Sequence, residues 1–244
     1  MGKYKITPLN LGYLTRPKRS FFYNYQGTKV EQYPINAYYL EGEYKILVDN
    51  GGCAPDMERG IAAQPYTRSP EQEIDKALHN IGVETGDIDY IIFTHLHWDH
   101  AYNTHLFPKA GLICQRRELE SLDEEGNPSN EKGYVKDYVK QFKYQLVDGD
   151  VQLFDGISVV YTPGHTIGSQ SVVVCTDEGP TIICGDLVAL LDSWRAEPPQ
   201  PNGLFYNEEA LRMMYESIEK LRRISKRLLP GHDSAVFGPG LGQD

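Results

Sequence analysis

The sequence predicts an α/β domain in which two β-sheets pack face to face with helices on their outer sides. Three observations carry this expectation. The strand-like runs are too many to share one buried parallel sheet. They occur in two groups with helical segments between them, and the two halves of the chain follow a similar plan.

Residues 38–40 and 45–49 are strand-like and joined by Glu41-Gly42-Glu43, a hairpin signature. Residues 71–81 follow a Ser-Pro start and carry Ile74, Ala77, Leu78 and Ile81 at helical spacing. Strands are expected at 90–94 and 111–115. A short helix at 116–122 then stops before the polar loop DEEGNPSNEKG, 123–133. From Tyr144 onward β signals dominate in YQLVD, VQLF, ISVVYT, QSVVVCT and TIICGD, separated by Gly, Asp and Pro turns. Asn207 stands where it can cap a long helix whose Leu211, Met214, Tyr215, Ile218 and Leu221 form one stripe. A last strand at 227–229 leads into Pro-Gly-His. No linker or low-complexity stretch divides the chain, so residues 1–244 are expected to form a single domain.

Bulk properties exclude several classes of function. Twenty-four lysines and arginines against 34 acids give a formal charge of −10, which argues against a nucleic-acid surface. No apolar run approaches a bilayer span, and the opening residues lack the apolar stretch of a signal peptide. No membrane association and a cytoplasmic location are expected. The four cysteines, Cys53, Cys114, Cys175 and Cys184, form no CxxC pair and read as reduced thiols, most of them buried in strands.

Chemistry concentrates in Thr94-His95-Leu96-His97-Trp98-Asp99-His100, directly after the strand YIIFT. On an extended backbone residues two apart point the same way, so His95, His97 and Asp99 converge, and a following turn swings His100 toward them. Imidazole and carboxylate are ligand types for zinc, manganese, iron or cobalt. The same local grammar recurs where strands stop at Pro-Gly and deliver His165 and His232. Asp186 follows a strand and a glycine within TIICGDLVALL, where an unpaired buried carboxylate would cost several kcal/mol. Strand ends from one side of a sandwich can gather ligands that the chain keeps far apart.

Together THLHWDH, TPGHT, the Gly-Asp at 185–186 and the Gly-His at 231–232 resemble, in order and spacing, the metallo-β-lactamase-fold hydrolases. The resemblance covers nearly the whole chain. It implies an αββα sandwich with a dinuclear site, His95, His97 and His165 on one metal, Asp99, His100 and His232 on the other, and Asp186 bridging. The implied cofactors are two divalent ions, zinc first, with Mn, Fe or Co as substitutes. Such a pair, about 3.5–4 Å apart, yields a shared hydroxide that attacks a carbonyl, with Asp99 shuttling the proton. His79 and His105 match no motif position.

Within this superfamily the chain is most similar to the N-acyl-homoserine lactonase group, through PINAYYLEGEYKILVDNGG and TPGHTIGSQSVVV. The implied reaction is ring opening of a lactone, an N-acyl-homoserine lactone being favoured. One departure stands out. Those lactonases carry a tyrosine three residues after the bridging aspartate, and here that position is Ala189. Tyr102 or Tyr206 is the candidate replacement. The aromatic run SFFYNYQ and residues such as Trp194 suggest a channel for a small-molecule substrate with an apolar portion, although core packing or a homodimer explains such aromatics equally well. Rival readings are a thioesterase lacking the glutathione-binding domain and a mononuclear iron persulfide dioxygenase, which metal stoichiometry separates.

Overall fold

A computed structural model describes residues 2–55, 65–124 and 135–238; most of the polar loop expected at 123–133 lies outside these segments. Twelve strands form two sheets among the described residues. The first seven are β1 (Lys5–Pro17), β2 (Val30–Glu41), β3 (Lys45–Val48), β4 (Tyr66–Thr67), β5 (Tyr90–Ile92), β6 (Gly111–Gln115) and β7 (Tyr144–Val147). They build a mixed sheet in the order β4-β1-β2-β3-β5-β6-β7. The remaining five are β8 (Val151–Phe154), β9 (Ile157–Tyr161), β10 (Gln170–Thr176), β11 (Gly179–Ile183) and β12 (Leu228–Leu229), ordered β12-β11-β10-β9-β8. The helices are α1 (Ile74–His79), α2 (Trp98–Ala101), α3 (Arg116–Ser121), α4 (Lys136–Val139), α5 (Leu191–Arg195) and α6 (Glu208–Arg222).

Side-chain alternation explains the layering. Ile46, Val48, Ile92 and Ile113 point inward and meet Val159, Val172, Val174 and Ile183 of the other sheet. Their neighbours Leu47, Ile91, Leu112 and Cys114 point outward and pack under Leu78 and Leu122. On the far side Val160, Ile182 and Leu228 lie beneath Met214, Ile218 and Leu221 of α6. Each such side chain contributes about 1.5–3 kcal/mol when fully buried. The molecule is therefore helix, sheet, sheet, helix.

Asn207 caps α6, its side chain accepting from the Ala210 N–H at 2.8 Å. The helix expected at 71–81 is shorter: Ser69 and Gln72 form a capping box on a single 3₁₀ turn, and α1 then ends at His79. Ile81 is 39% exposed and lies past the helix, off the buried stripe. β1 has no counterpart among the expected strands, because Pro8, Gly12 and Pro17 break its pattern. It nonetheless pairs antiparallel with β2, with a register shift between Asn10 and Tyr13. The four cysteines form no disulfide among the described residues, and Cys53, Cys114 and Cys184 are buried. Among the described residues no helix is long and apolar enough to cross a membrane.

Candidate metal centre

The site lies where strands of both sheets end. After β5 the chain bends at Thr94, and the extended His97 (φ −64, ψ 156) is the residue from which α2 starts. Asp99 and His100 occupy the first turn of that helix, so a helical turn brings Asp99 in, not the extended run expected for it. The Thr94 carbonyl accepts from the Gln170 N–H at 2.8 Å, tying this loop to β10 of the other sheet.

From the second sheet, β9, β11 and β12 deliver His165, Asp186 and His232. The two glycines beside these ligands leave room for close approach. At Gly185 (φ +52) a Cβ would sit 2.5 Å from Thr94 Oγ1, and at Gly231 it would collide with Asp186 Oδ1. The Gly231 N–H donates to the Gly185 carbonyl at 2.9 Å, locking these two ends together.

Three overlapping groups result: His95, His97 and His165; His95, His100 and Asp186; and Asp99, His100 and His232, in each of which the ligand atoms lie within 4.8 Å of one another. All seven residues predicted as ligands are thus brought together. His97 Nδ1 lies 3.0 Å from His95 Nε2 and 3.1 Å from His165 Nε2. Asp186 stands between the two ends of the cluster, with Oδ2 3.6 Å from His165 Nε2 and both oxygens near His232 Nε2, Oδ1 at 3.1 Å and Oδ2 at 3.2 Å. Asp99 Oδ2 stands 3.8 Å from His232 Nε2 and 4.0 Å from His100 Nε2.

The outer hydrogen bonds set which ring nitrogen faces inward. A carbonyl only accepts, so His165 Nδ1 donates to Leu204 O at 3.2 Å and His232 Nδ1 donates to Pro34 O at 2.8 Å. The Thr94 hydroxyl donates to Asp49 Oδ2 at 2.7 Å and is left to accept from His95 Nδ1 at 3.1 Å. His95 and His165 consequently turn lone pairs toward His97 Nδ1, which holds one proton at most. A cation satisfies that convergence; hydrogen bonds alone do not. At the other end His100 Nε2 and Asp186 Oδ1 are buried, 3.3 Å apart, and neither makes a hydrogen bond. The donor set therefore fits divalent metal ions of the zinc type.

Electrostatics agree with this assignment. Burial, reinforced by the neighbouring imidazoles, holds His95 and His97 well below the ordinary histidine range. Burial likewise lowers His165, so all three are neutral donors at pH 7. Burial opposes the charge on His100 too, but Asp186, Asp49 and Asp99 outweigh it and raise its pKa well above the usual value. The proton so retained is the one a cation displaces. Burial also opposes ionisation of Asp186, yet His232 and His100 keep its carboxyl well below the usual range.

Two supporting acids were not among the predicted site residues. Asp49 is 3% exposed and held at φ +61. It accepts from Thr94 N at 2.8 Å and from His100 Nδ1 at 2.8 Å. Its position at the end of KILVD follows the same pattern as Asp186 and was a readable signal. Glu118, 1% exposed on α3, accepts from Leu96 N, Thr166 Oγ1 and Gly168 N, joining the two histidine loops. Nothing local marks it.

The predicted substrate contacts fare unevenly. Trp194 is buried with Leu191, Met214 and Ile218, and its indole N–H donates to Lys226 O at 2.8 Å, a packing role rather than a place among the ligands. Tyr102, two residues past His100, stacks on Tyr138 with centroids 4.6 Å apart. Tyr206 is half-buried two residues beyond Leu204, whose carbonyl holds His165. Ala189 is fully buried, and its carbonyl accepts from His232 N at 3.2 Å. His79 and His105 pair at the surface with Glu84 and Tyr138, outside the cluster.

Comparison with known proteins agrees with this geometry. An N-acyl homoserine lactonase from a Bacillus species is 31% identical over 215 residues, covering 82% of this chain and 81% of its own. A Methanocaldococcus jannaschii protein described as a probable metallo-hydrolase is 28% identical, covering 72% of each chain. An N-acyl homoserine lactone hydrolase, solved with N-hexanoyl-L-homoserine at its catalytic metal centre, superposes with TM-score 0.78 at 26% identity, covering 95% of this chain and 94% of that one. A dizinc quorum-quenching lactonase, 18% identical with TM-score 0.70, shares the fold. The pattern of one superfamily matches residues 30–232, a span that holds every ligand of the cluster. With that match spanning most of its length, the chain belongs to the metallo-beta-lactamase superfamily.

Proposed function

We propose that this chain is a dinuclear metallohydrolase that opens the ring of a lactone, with N-acyl-homoserine lactones as the favoured class. The observation that carries the reading is Asp186, which stands between the histidines of the two groups, its Oδ2 3.6 Å from His165 Nε2 and its Oδ1 3.1 Å from His232 Nε2 and 3.3 Å from His100 Nε2, with Oδ2 also 3.2 Å from His232 Nε2. A carboxylate so placed would help hold two ions, with His95, His97 and His165 as the residues that would hold one and Asp99, His100 and His232 the other. The lactonases among its relatives support the substrate class.

Zinc is the first expectation for both ions, and what such ions supply when bound is a hydroxide near neutral pH and polarisation of the carbonyl oxygen. The protein's own part is positional. Thr94, Asp49, Pro34 O and Leu204 O orient the imidazoles before substrate arrives. Asp99, whose Oδ2 stands 3.8 Å from His232 Nε2 in the second group, takes the proton lost as the new C–O bond forms. It returns that proton to the ring oxygen as the ester bond breaks, so water and lactone give one hydroxy acid. Tyr102 and Tyr206 are the hydroxyls we assign to hold the substrate carbonyl in place of the residue absent at Ala189.

Metal analysis of purified protein, with assay of the same preparation against lactones of graded chain length and one thioester, tests this directly. Two zinc equivalents and lactone turnover are expected. One iron, or turnover of the thioester alone, overturns the reading. Converting Tyr102 and Tyr206 to Phe should lower kcat/KM in at least one case by about tenfold; unchanged values in both remove them from the site.

A further inference from the structure

A partly buried cation next to the cluster is not used by the mechanism above. Arg16 lies near the end of β1, opposite Glu31 of β2 in the register. That cross-strand neighbour is the natural partner for it. Glu31, however, is engaged by Lys29 Nζ at 2.7 Å and by the Tyr33 hydroxyl at 3.2 Å. The guanidinium of Arg16 instead lies over the Phe21 ring, 5.8 Å from its centroid. Phe21 in turn packs against the His232 ring, with centroids 4.7 Å apart. This chain of contacts puts Arg16 at the rim of the ligand cluster.

Arg16 Nε is buried without a hydrogen-bond partner, and among the described residues no carboxylate forms an ion pair with the side chain. The carboxylates whose charge it feels are Asp99 and Asp186, the two acids of the cluster. Burial works against its charge and those two acids work for it. Once they are committed to divalent ions, little of their charge is left for Arg16. A partly buried guanidinium whose Nε is shut off from water is disfavoured facing ions of the same sign unless an anion joins it. Arginine's planar fork suits a carboxylate or phosphate, which it binds with two parallel hydrogen bonds. Arg16 also lies outside residues 30–232, the span that matches the superfamily pattern.

We propose that Arg16 is a specificity-determining residue that binds an anionic group on the substrate, so that the preferred lactone carries a carboxylate or similar charge away from the ring. This rests on the lactonase reading for the reaction, but the anion site stands on its own geometry. A lactone whose acyl arm ends in a carboxylate is the substrate class it fits, in place of one with a purely apolar tail.

Kinetics of the zinc-loaded enzyme on N-adipoyl- and N-hexanoyl-homoserine lactone, which share a six-carbon acyl arm and differ in a terminal carboxylate, test this. Wild type should favour the adipoyl compound, mainly through KM. In Arg16→Gln the ratio of the two kcat/KM values should fall about tenfold or more, and Arg16→Lys should keep part of it. Calorimetric titration of adipate into the wild-type and Arg16→Gln proteins gives a readout independent of turnover. Arg16-dependent adipate binding is expected even if no lactone is opened, an outcome that would sink the lactonase reading and leave the anion site standing. A wild-type enzyme that opens both lactones without favouring the adipoyl compound overturns the inference and leaves the lactonase reading intact. Adipate binding that survives Arg16→Gln unchanged overturns it as well.

Discussion

The two sheets deliver their ligands in different ways. The first sends one continuous segment, residues 95–100, in which a loop and one helical turn place four ligands. The second sends three separate strand ends with one ligand each, His165, Asp186 and His232. The first half is held by acids behind it: Asp49 on His100 and Thr94, and Glu118 on the Leu96 amide. The second half is held by backbone contact, with Gly231 N on Gly185 O and no room for a side chain between Gly231 and Asp186. Local geometry serves one half, and close tertiary packing serves the other.

Substitutions on each side can break or sharpen that contrast. Asp186→Asn keeps the size of the ligand that stands between the two halves and removes its charge. It should lose at least one metal and most turnover, and full occupancy in the variant would refute the bridging role. Gly231→Ala places a methyl against Asp186 Oδ1, so metal content should fall and stability should drop by about 1–3 kcal/mol. Normal occupancy there would mean that the second half is not set by backbone contact. Asp49→Asn leaves every ligand in place but weakens the acceptor behind His100. Metal affinity should fall about 10–100-fold with the fold intact, measured by competition with a chelator. The smallest effect is expected from Glu118→Gln, which turns an amide toward the donors Leu96 N, Thr166 Oγ1 and Gly168 N. Thermal unfolding should show a loss of about 1–3 kcal/mol, with metal content retained; an unchanged Tm would remove Glu118 as the tie between the loops.

Much of the metal cluster was legible because its residue types are rare in such density and its strand ends repeat one pattern. Asp49 follows that pattern but lacks a histidine beside it to draw notice. Glu118 was invisible, since an acid on a short helix says nothing until α3 is packed over the loops. β1 escaped because prolines and a glycine interrupt its alternation, although the tertiary pairing with β2 overrides them. Trp194 shows how packing adds what the sequence does not carry. An aromatic after the Asp186 loop suggests a channel, yet the indole N–H finds Lys226 O and the ring fills the core beneath α6.

What the sequence determined by itself is the two-sheet plan and the ligand types, because strand alternation, helix caps and turn glycines act within a few residues. The tertiary structure decided which ring nitrogens face inward, that Asp186 stands between the two ends of the cluster, and that Arg16 lies over Phe21 with no carboxylate paired to it among the described residues. The first two depend on contacts between residues far apart in the chain, such as His232 with Pro34 and His100 with Asp49. Such contacts follow from how the two sheets are set against each other, and no local periodicity encodes that.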